Sequence, residues 1–394
     1  MVRQVKIGLV FSTTGSYATV SSEMLKGACL AVDEVNARQS EIYLHALSRN
    51  PGGNLNDYWI ACHDLLKNEG VSHVVGCYTS ASRKEVIPLF EKYDGLLWYP
   101  SHYEGFESAD NVVYTGAAPN QHIVPLAAYM LRHHGRRAYF CGSNYIWAWE
   151  NNRILREILT QNGGDIVAER YRPIGDDDVE PLLDEIGELK PDFIFNTLIG
   201  ETAYAFYRSY RERGYSDARF QPDVMPVTSC SLSEPELRSI GPEAAAGHIC
   251  SSVYFSALKT AANARFGEAF VNAGCDPDTA SADAEASYDA VHLLAEGLIA
   301  AGSSDPEAVL SAAYAVELDA PQGKVRVDRT NNHCYLTPHL GRSRRNGTFA
   351  VIASATEPVR PDPYLTRFDA RALFESDLSR SSDPSDSPTL KVVK

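Results

Sequence analysis

Short apolar runs closing on polar turns alternate along this chain with segments whose apolar positions recur at helical spacing, the rhythm of strands and helices in turn. The stretch at 76–106, GCYTSASRKEVIPLFEKYDGLLWYPSHYEGF, shows it most fully. VVGCYTSASR runs from apolar positions into a polar turn. A helical segment follows with Val86, Ile87, Leu89 and Phe90 inward, and GLLWYP is a second apolar run closing on another turn. In an open parallel sheet the loops after successive strands open on one edge, where such folds bind ligands. Tyr78, Thr79 and Ser80 are therefore expected to share a crevice with Tyr99, Pro100 and Ser101. These are neutral hydroxyls and rings, suited to holding a small uncharged polar molecule.

The same pattern extends in both directions. VKIGLVF, EIYLHALSRN and their following helices precede this stretch, with the loop Ser12 to Ser16 at the tip of the first strand. The alternation implies a mostly parallel sheet with helices on both faces. It stops near GAAPNQH, a turn-rich piece suited to an interdomain crossing. A second alternating block follows, whose strand-tip loops supply Ser143, Tyr145 and Trp147, then Asn196, Thr197, Leu198 and Ile199, then Thr228 and Ser229. Helices near 263–273 and 282–301 are expected to return to the first block. Asn346-Gly347 joins two short strands as a hairpin. The expected fold class is α/β, two discontinuous doubly wound domains with a ligand cleft between them. Residues 1–120 plus 252–325 form the N-terminal lobe, 121–251 plus 326–365 the C-terminal lobe, and 366–394 a disordered tail rich in Ser, Asp and Pro.

Length and composition narrow the function. The 394 residues fit two domains, and a formal net charge of −15 argues against nucleic acid or an anionic membrane as the main partner. No apolar run reaches the roughly 18 residues of a membrane span. Eight scattered cysteines without a C-x-x-C pair read as reduced core thiols, which together with the lack of an export signal before VKIGLVF points to the cytoplasm.

Few motifs carry catalytic chemistry. His133-His134 lacks the spacing of a metal site, Asp176-Asp177-Asp178 reads as the cap of the next helix, and Arg83 and Lys84 read as the solvent side of theirs. No nucleotide-binding glycine motif and no serine-hydrolase elbow is present. The expectation is therefore no enzyme, no cofactor and no metal. An amidase would need a nucleophile with a base, for which Cys77 is the one candidate; its place in VVGCY favours packing instead.

The strings GCYTSASRKEVIPLFEKYDGLLWYPSHYEGFES, GAAPNQ, GSNYIW and DAPQGKVRVDRTNNH, with EPVRPDPY after them, resemble the AmiC-type amide sensors of the amidase operon, over about 6–364. The resemblance implies a type I periplasmic-binding-protein fold working in the cytoplasm. It implies a sensor of short-chain aliphatic amides that controls an AmiR-like antiterminator by ligand-dependent domain closure, with a homo-oligomer open to it. It also implies the ligand-binding positions: Tyr78, Ser80, Tyr99, Pro100, Ser101, Tyr145 and Trp147, with Leu198 or Ile199 lining the pocket. Trp147 and Ser101 stand where that family is expected to carry Tyr and Thr. CYTSASRK and FNTLIGETAYAF also resemble the urea-binding UrtA subunits of ABC transporters, which keeps a urea or amide transport receptor as the alternative.

Overall fold

The computed structural model describes residues 2–38, 41–368 and 389–390. By its internal contacts the chain forms two compact units, Met1–Ala118 with Leu258–Leu336, and Pro119–Ala257 with Thr337–Lys394. The first begins β1 (Arg3–Val10), α1 (Ala18–Ala37), β2 (Ile42–Arg49), α2 (Leu55–His63), β3 (His73–Gly76), α3 (Ser80–Tyr93), β4 (Leu96–Tyr99) and β5 (Val112–Tyr114). The second contributes α4 (Pro119–His133), β6 (Arg137–Ser143), α5 (Ile146–Gln161), β7 (Asp165–Arg172), α6 (Glu180–Leu189), β8 (Phe193–Thr197) and α7 (Glu201–Arg213). It continues with β9 (Val227–Ser229), α8 (Glu234–Ile240), α9 (Pro242–Ala245) and β10 (Ile249–Ser252). The chain then adds α10 (Ala261–Asn272), α11 (Ala282–Ala301), α12 (Pro306–Ala313), β11 (Leu318–Ala320), β12 (Gly323–Val327) and β13 (Cys334–Tyr335) to the first unit. It ends with β14 (His339–Ser343), β15 (Phe349–Ala355) and β16 (Thr389–Leu390) in the second.

In the first unit the strand order is β2-β1-β3-β4-β5, all parallel. One face packs on α2 and α3 through Tyr58, Cys62, Val86, Leu89 and Phe90. Alpha-helix α11 packs along α1 and reaches β3 and β4. The second unit has the order β16-β15-β14-β10-β9-β8-β6-β7, parallel from β10 to β7 and antiparallel where β14 joins β10 and β15. One of its clusters holds Leu126, Met130, Leu155 and Leu159 of α4 and α5; the other holds Leu183, Ile186, Phe206 and Tyr210 of α6 and α7. The β14–β15 hairpin turns at Asn346-Gly347 as the dipeptide predicts.

Several expectations need correction. The chain pattern was expected to lapse near Asn111, yet Val112–Tyr114 pairs with β4 as a fifth strand, too short to register as a run. The last crossing falls after Leu336, whereas 325 was expected. Arg326↔Tyr335 and Val327↔Cys334 pairing holds VRVDRTNNHCY in the first unit. The acid run at 176–178 does not cap α6: Val179 is the cap residue, without a side-chain bond, and Asp176 pairs instead with Arg172 at 2.7 Å. The expected tail lies largely outside the described residues; Thr389–Leu390 pair in parallel with β15.

One buried polar cluster belongs to the framework of the first unit. Glu285 and Asp289, one turn apart on α11, are both buried. Glu285 accepts from the Gln322 backbone N–H at 3.1 Å and from its Nε2 at 2.9 Å. Among the described residues, neither carboxyl oxygen of Asp289 has a hydrogen-bond partner of fixed position, and the ionisable group one turn away is Glu285, so a second buried charge there is strongly disfavoured. Burial pushes Glu285 up to about 7, and burial together with the Glu285 charge pushes Asp289 well above the usual carboxylate range.

Candidate functional site

Strands β3 and β4 are parallel neighbours, so the residues that follow them emerge on one edge. Gly76 ends β3 at φ 147°, where a Cβ would stand 2.3 Å from the Val10 carbonyl oxygen. Cys77 follows at φ 63°, a left-handed conformation that costs a non-glycine residue roughly 1–2 kcal/mol, and its N–H donates to Val10 O at 3.0 Å. Expected within the strand, Cys77 stands one residue past it and is fully buried. Its thiol is a hydrogen-bond partner of Cys62.

This sharp turn delivers Tyr78, Thr79 and Ser80 to the head of α3. Thr79 is the N-cap: its Oγ1 accepts from the Ser82 N–H at 3.1 Å, and its hydroxyl donates to Ser82 Oγ at 3.0 Å. The Tyr78 ring meets Tyr17 edge-on at 5.8 Å. From β4, the Tyr99 hydroxyl donates to the Tyr78 carbonyl at 2.8 Å, tying the two strand tips together. Pro100 and Ser101 follow, both buried. Gly116 passes so close to them that a Cβ there would lie 2.1 Å from the Ser101 carbonyl carbon and oxygen. Ser12, at the tip of β1, donates to the Tyr58 hydroxyl and accepts from Gly53 N–H, each at 2.8 Å.

The six expected residues are neutral as read, but charged groups stand beside them, and the solvent-facing placement of Arg83 is overturned. Ser80 and Arg83 are three residues apart and share one face of α3. Arg83 is fully buried, and Lys84 remains the outer cation. Arg83 Nε donates to Glu107 at 2.6 Å and its Nη2 to Glu104 Oε1 at 3.1 Å. Its guanidinium lies 4.7 Å from the Tyr99 ring centre and 4.6 Å from that of Tyr103. Lys84 closes on Glu107 at 2.7 Å. Burial alone would raise the Glu107 carboxyl, but Arg83 and Lys84 outweigh it and hold the group at about 2. The second oxygen of Glu104, Oε2, accepts from the Ser80 hydroxyl at 2.5 Å.

Behind this network Tyr103 and His333 Nε2 meet at 2.5 Å, and the His333 ring stacks on Tyr114 at 4.0 Å. Burial drives that imidazole down to about 3. Beside it in the chain's folded order, Ser101 donates to Asp283 Oδ1 at 3.2 Å, and His102 Nδ1 lies 3.3 Å from the same oxygen. Glu104, Glu107, His102 and Asp283 were not singled out from the sequence. A signal for the first two existed: the loop HYEGFES, after β4, carries two carboxylates opposite the cations of SASRK after β3.

The second unit arranges its own strand tips. Tyr145 caps α5 and is half-buried, and Trp147 is buried in the first turn. Ser143 Oγ accepts from the Ile199 N–H at 3.0 Å, joining β6 to the loop after β8. Leu198 is buried and Ile199 partly so. Thr197 donates to Asn152 Oδ1 at 3.0 Å, and Asn151 Nδ2 to the Trp147 carbonyl at 2.7 Å. The structure thus brings Tyr78, Ser80, Tyr99, Pro100 and Ser101 to one edge of the first sheet, and Tyr145, Trp147, Leu198 and Ile199 to neighbouring tips of the second.

The family model described as periplasmic binding protein domain matches residues 5–370. The chain belongs to that family. Solved structures share its fold. A solute-binding protein of an R. palustris ABC transporter, in complex with 4-hydroxybenzoate, is 20% identical with a TM-score of 0.80, over 90% of this chain and 98% of that one. A substrate-binding protein of an ABC transporter from Sphaerobacter thermophilus is 22% identical, TM-score 0.77, over 91% and 97%. A leucine-binding protein from Thermotoga maritima is 18% identical, TM-score 0.76, over 89% and 98%. Among curated proteins, limonene hydroxylase of Geobacillus stearothermophilus is 23% identical over 127 residues, 32% of this chain, and the matched part spans 23% of that protein's length. So partial a match carries no activity to this chain. Members of the periplasmic binding protein family and these structural neighbours bind solutes rather than transform them.

Proposed function

We propose that this chain is a binding protein for a small neutral solute rich in N–H donors, a short-chain aliphatic amide or urea, and serves as the substrate-binding component of a transporter. The direction of the hydroxyls on the first unit carries this reading. Thr79, Ser80, Tyr99 and Ser101 each donate to a protein acceptor. A hydroxyl has one hydrogen and two lone pairs, so what the Ser80 and Ser101 oxygens offer a ligand is acceptor capacity. An NH2 group matches that. A carboxylate would set lone pairs against lone pairs, so the benzoates of the R. palustris neighbours are poor guides to this chain's solute. The ligand's carbonyl is left to backbone N–H groups at the strand tips, and its alkyl part to the ring of Tyr78. The transporter setting is supported by the solved neighbours, which are ABC-transporter solute-binding proteins.

The strings DAPQGKVRVDRTNNH and EPVRPDPY support a second reading: a cytoplasmic amide sensor that frees an AmiR-like antiterminator when ligand closes its domains. Both readings share the ligand and differ in partner. Calorimetric titration with acetamide, propionamide, butyramide, urea, leucine and benzoate, with ammonia assayed in the same samples, tests them. Saturable amide or urea binding without ammonia is expected. Preference for benzoate or leucine would refute the ligand class, and ammonia release would refute the binding-protein reading. A pull-down that returns an RNA-binding regulator only without amide would move the assignment to the sensor.

A further inference from the structure

We infer that Glu104 is a positioning residue that fixes Ser80 as a hydrogen-bond acceptor toward the ligand, and thereby makes this edge prefer an amide over the matching carboxylate. The inference rests on the reading that Ser80 touches the solute. Arg83 engages Oε1 of Glu104, which leaves Oε2 to take the single hydrogen of Ser80. The geometry is held from behind, because Arg83 is itself fixed by Glu107 and by the rings of Tyr99 and Tyr103. The local charges also balance. Arg83 and Lys84 face Glu104 and Glu107, so the cluster presents no net charge to attract or repel an ion. What this cluster contributes to discrimination is then the direction of the Ser80 hydroxyl.

A glutamine at this position reverses that direction without changing shape. Arg83 requires an oxygen where Oε1 stands, so in Glu104→Gln the amide nitrogen takes the place of Oε2 and donates to Ser80. Ser80 must then accept, and its own hydrogen turns toward the ligand.

Acetamide and acetate, equal in size, are the probes. In the parent, acetamide binds better than acetate. In Glu104→Gln the ratio of the two affinities falls by at least about tenfold, as a lost donor match and a gained one both act. Removing a carboxylate also favours anions through the field alone, so the same substitution is made in a Ser80→Ala background, where the ratio is expected to move by less than about threefold. A structural role would lower both affinities together and leave the ratio in place. A ligand-free measurement stands beside these: with serine labelled at Cβ, Ser80 shows a hydroxyl proton that exchanges slowly in the parent. An unchanged ratio in Glu104→Gln, an equal shift in the Ser80→Ala background, or a fast-exchanging Ser80 hydroxyl in the parent overturns the inference. A parent that binds none of acetamide, acetate and urea defeats the ligand reading and this inference with it. A parent that binds acetamide while the variant keeps its ratio defeats the inference alone.

Discussion

Replacing Asp289 by asparagine should make the protein more stable at neutral pH and change how its stability responds to pH. In the folded chain Glu285 and Asp289 are buried one turn apart, and each is held protonated above the usual carboxylate range. Glu285 keeps its proton to about 7, and Asp289 keeps its own well above the usual carboxylate range. In the unfolded chain both ionise near pH 4. The sign follows from linkage. The folded state binds more protons than the unfolded one between those limits, so this contribution is complete below about pH 4 and is lost as pH rises. Each retained proton costs about 1.4 kcal/mol of stability per pH unit. Asparagine imitates the protonated Asp289: its amide can donate to Glu285, and it does not titrate. The variant therefore retains one proton where the parent retains two. Between pH 5 and 7 its stability should gain on the parent by about 3 kcal/mol. Other titrating groups, such as the buried His73 and His333, are common to both proteins and cancel in the difference. Urea titrations at half-unit pH steps, with hydrogen exchange of the β3 and β4 amides reporting on this unit, give the gap directly. A gap that stays constant from pH 5 to 7 would refute the account of a proton retained on Asp289, whatever its size.

Other outcomes follow from the same geometry. Arg83→Met should destabilise the first unit by about 3–5 kcal/mol, since it takes from Glu104 and Glu107 the buried cation that both engage, and adding Glu107→Gln should restore part of the loss. A urea midpoint that does not move would mean that the pair is not buried in solution. Gly116→Ala forces a Cβ into the Ser101 backbone and should cost about 1–3 kcal/mol while weakening ligand binding; full affinity would place Ser101 outside the site. Trp147→Ala removes a buried ring beside Tyr145, with an expected cost of about 3–5 kcal/mol, and should weaken amide binding; an unchanged affinity by calorimetry would remove Trp147 from the ligand-contacting set.

Much of the first sheet could be read from the chain because its information is local. VKIGLVF, HVVG and GLLWY are apolar on both faces, as strands of a parallel sheet must be, and the turns after them carry the polar residues. Placing Ser80 and Tyr99 on one edge needed nothing further. Arg83 could not be placed that way. A cation in a helix is ordinarily solvent-facing, and only the partners that Glu104 and Glu107 bring from another strand tip make burial affordable. The same limit hid Asp283, which reaches Ser101 from the start of α11, far along the chain. Strand β5 escaped for another reason: three residues leave too short a pattern to separate from a turn.

The string DAPQGKVRVDRTNNH, the most specific of the resemblances, lies in the framework of the first unit. Gln322 holds the Glu285 carboxyl by two hydrogen bonds, and His333 stands against Tyr103 and Tyr114. Its residues therefore support the sheet from which Tyr99 and Ser101 emerge. Residues that select need polar atoms to offer a ligand, and in the proposed reading Ser80 and Ser101 offer theirs as acceptors. On that reading, ligand class follows from where these hydrogens point, which Glu104 sets for Ser80 and Asp283 for Ser101. Two chains could share the framework string and the serine, yet bind opposite partners, an amide in one and a carboxylate in the other, if they differed only at the position of Glu104.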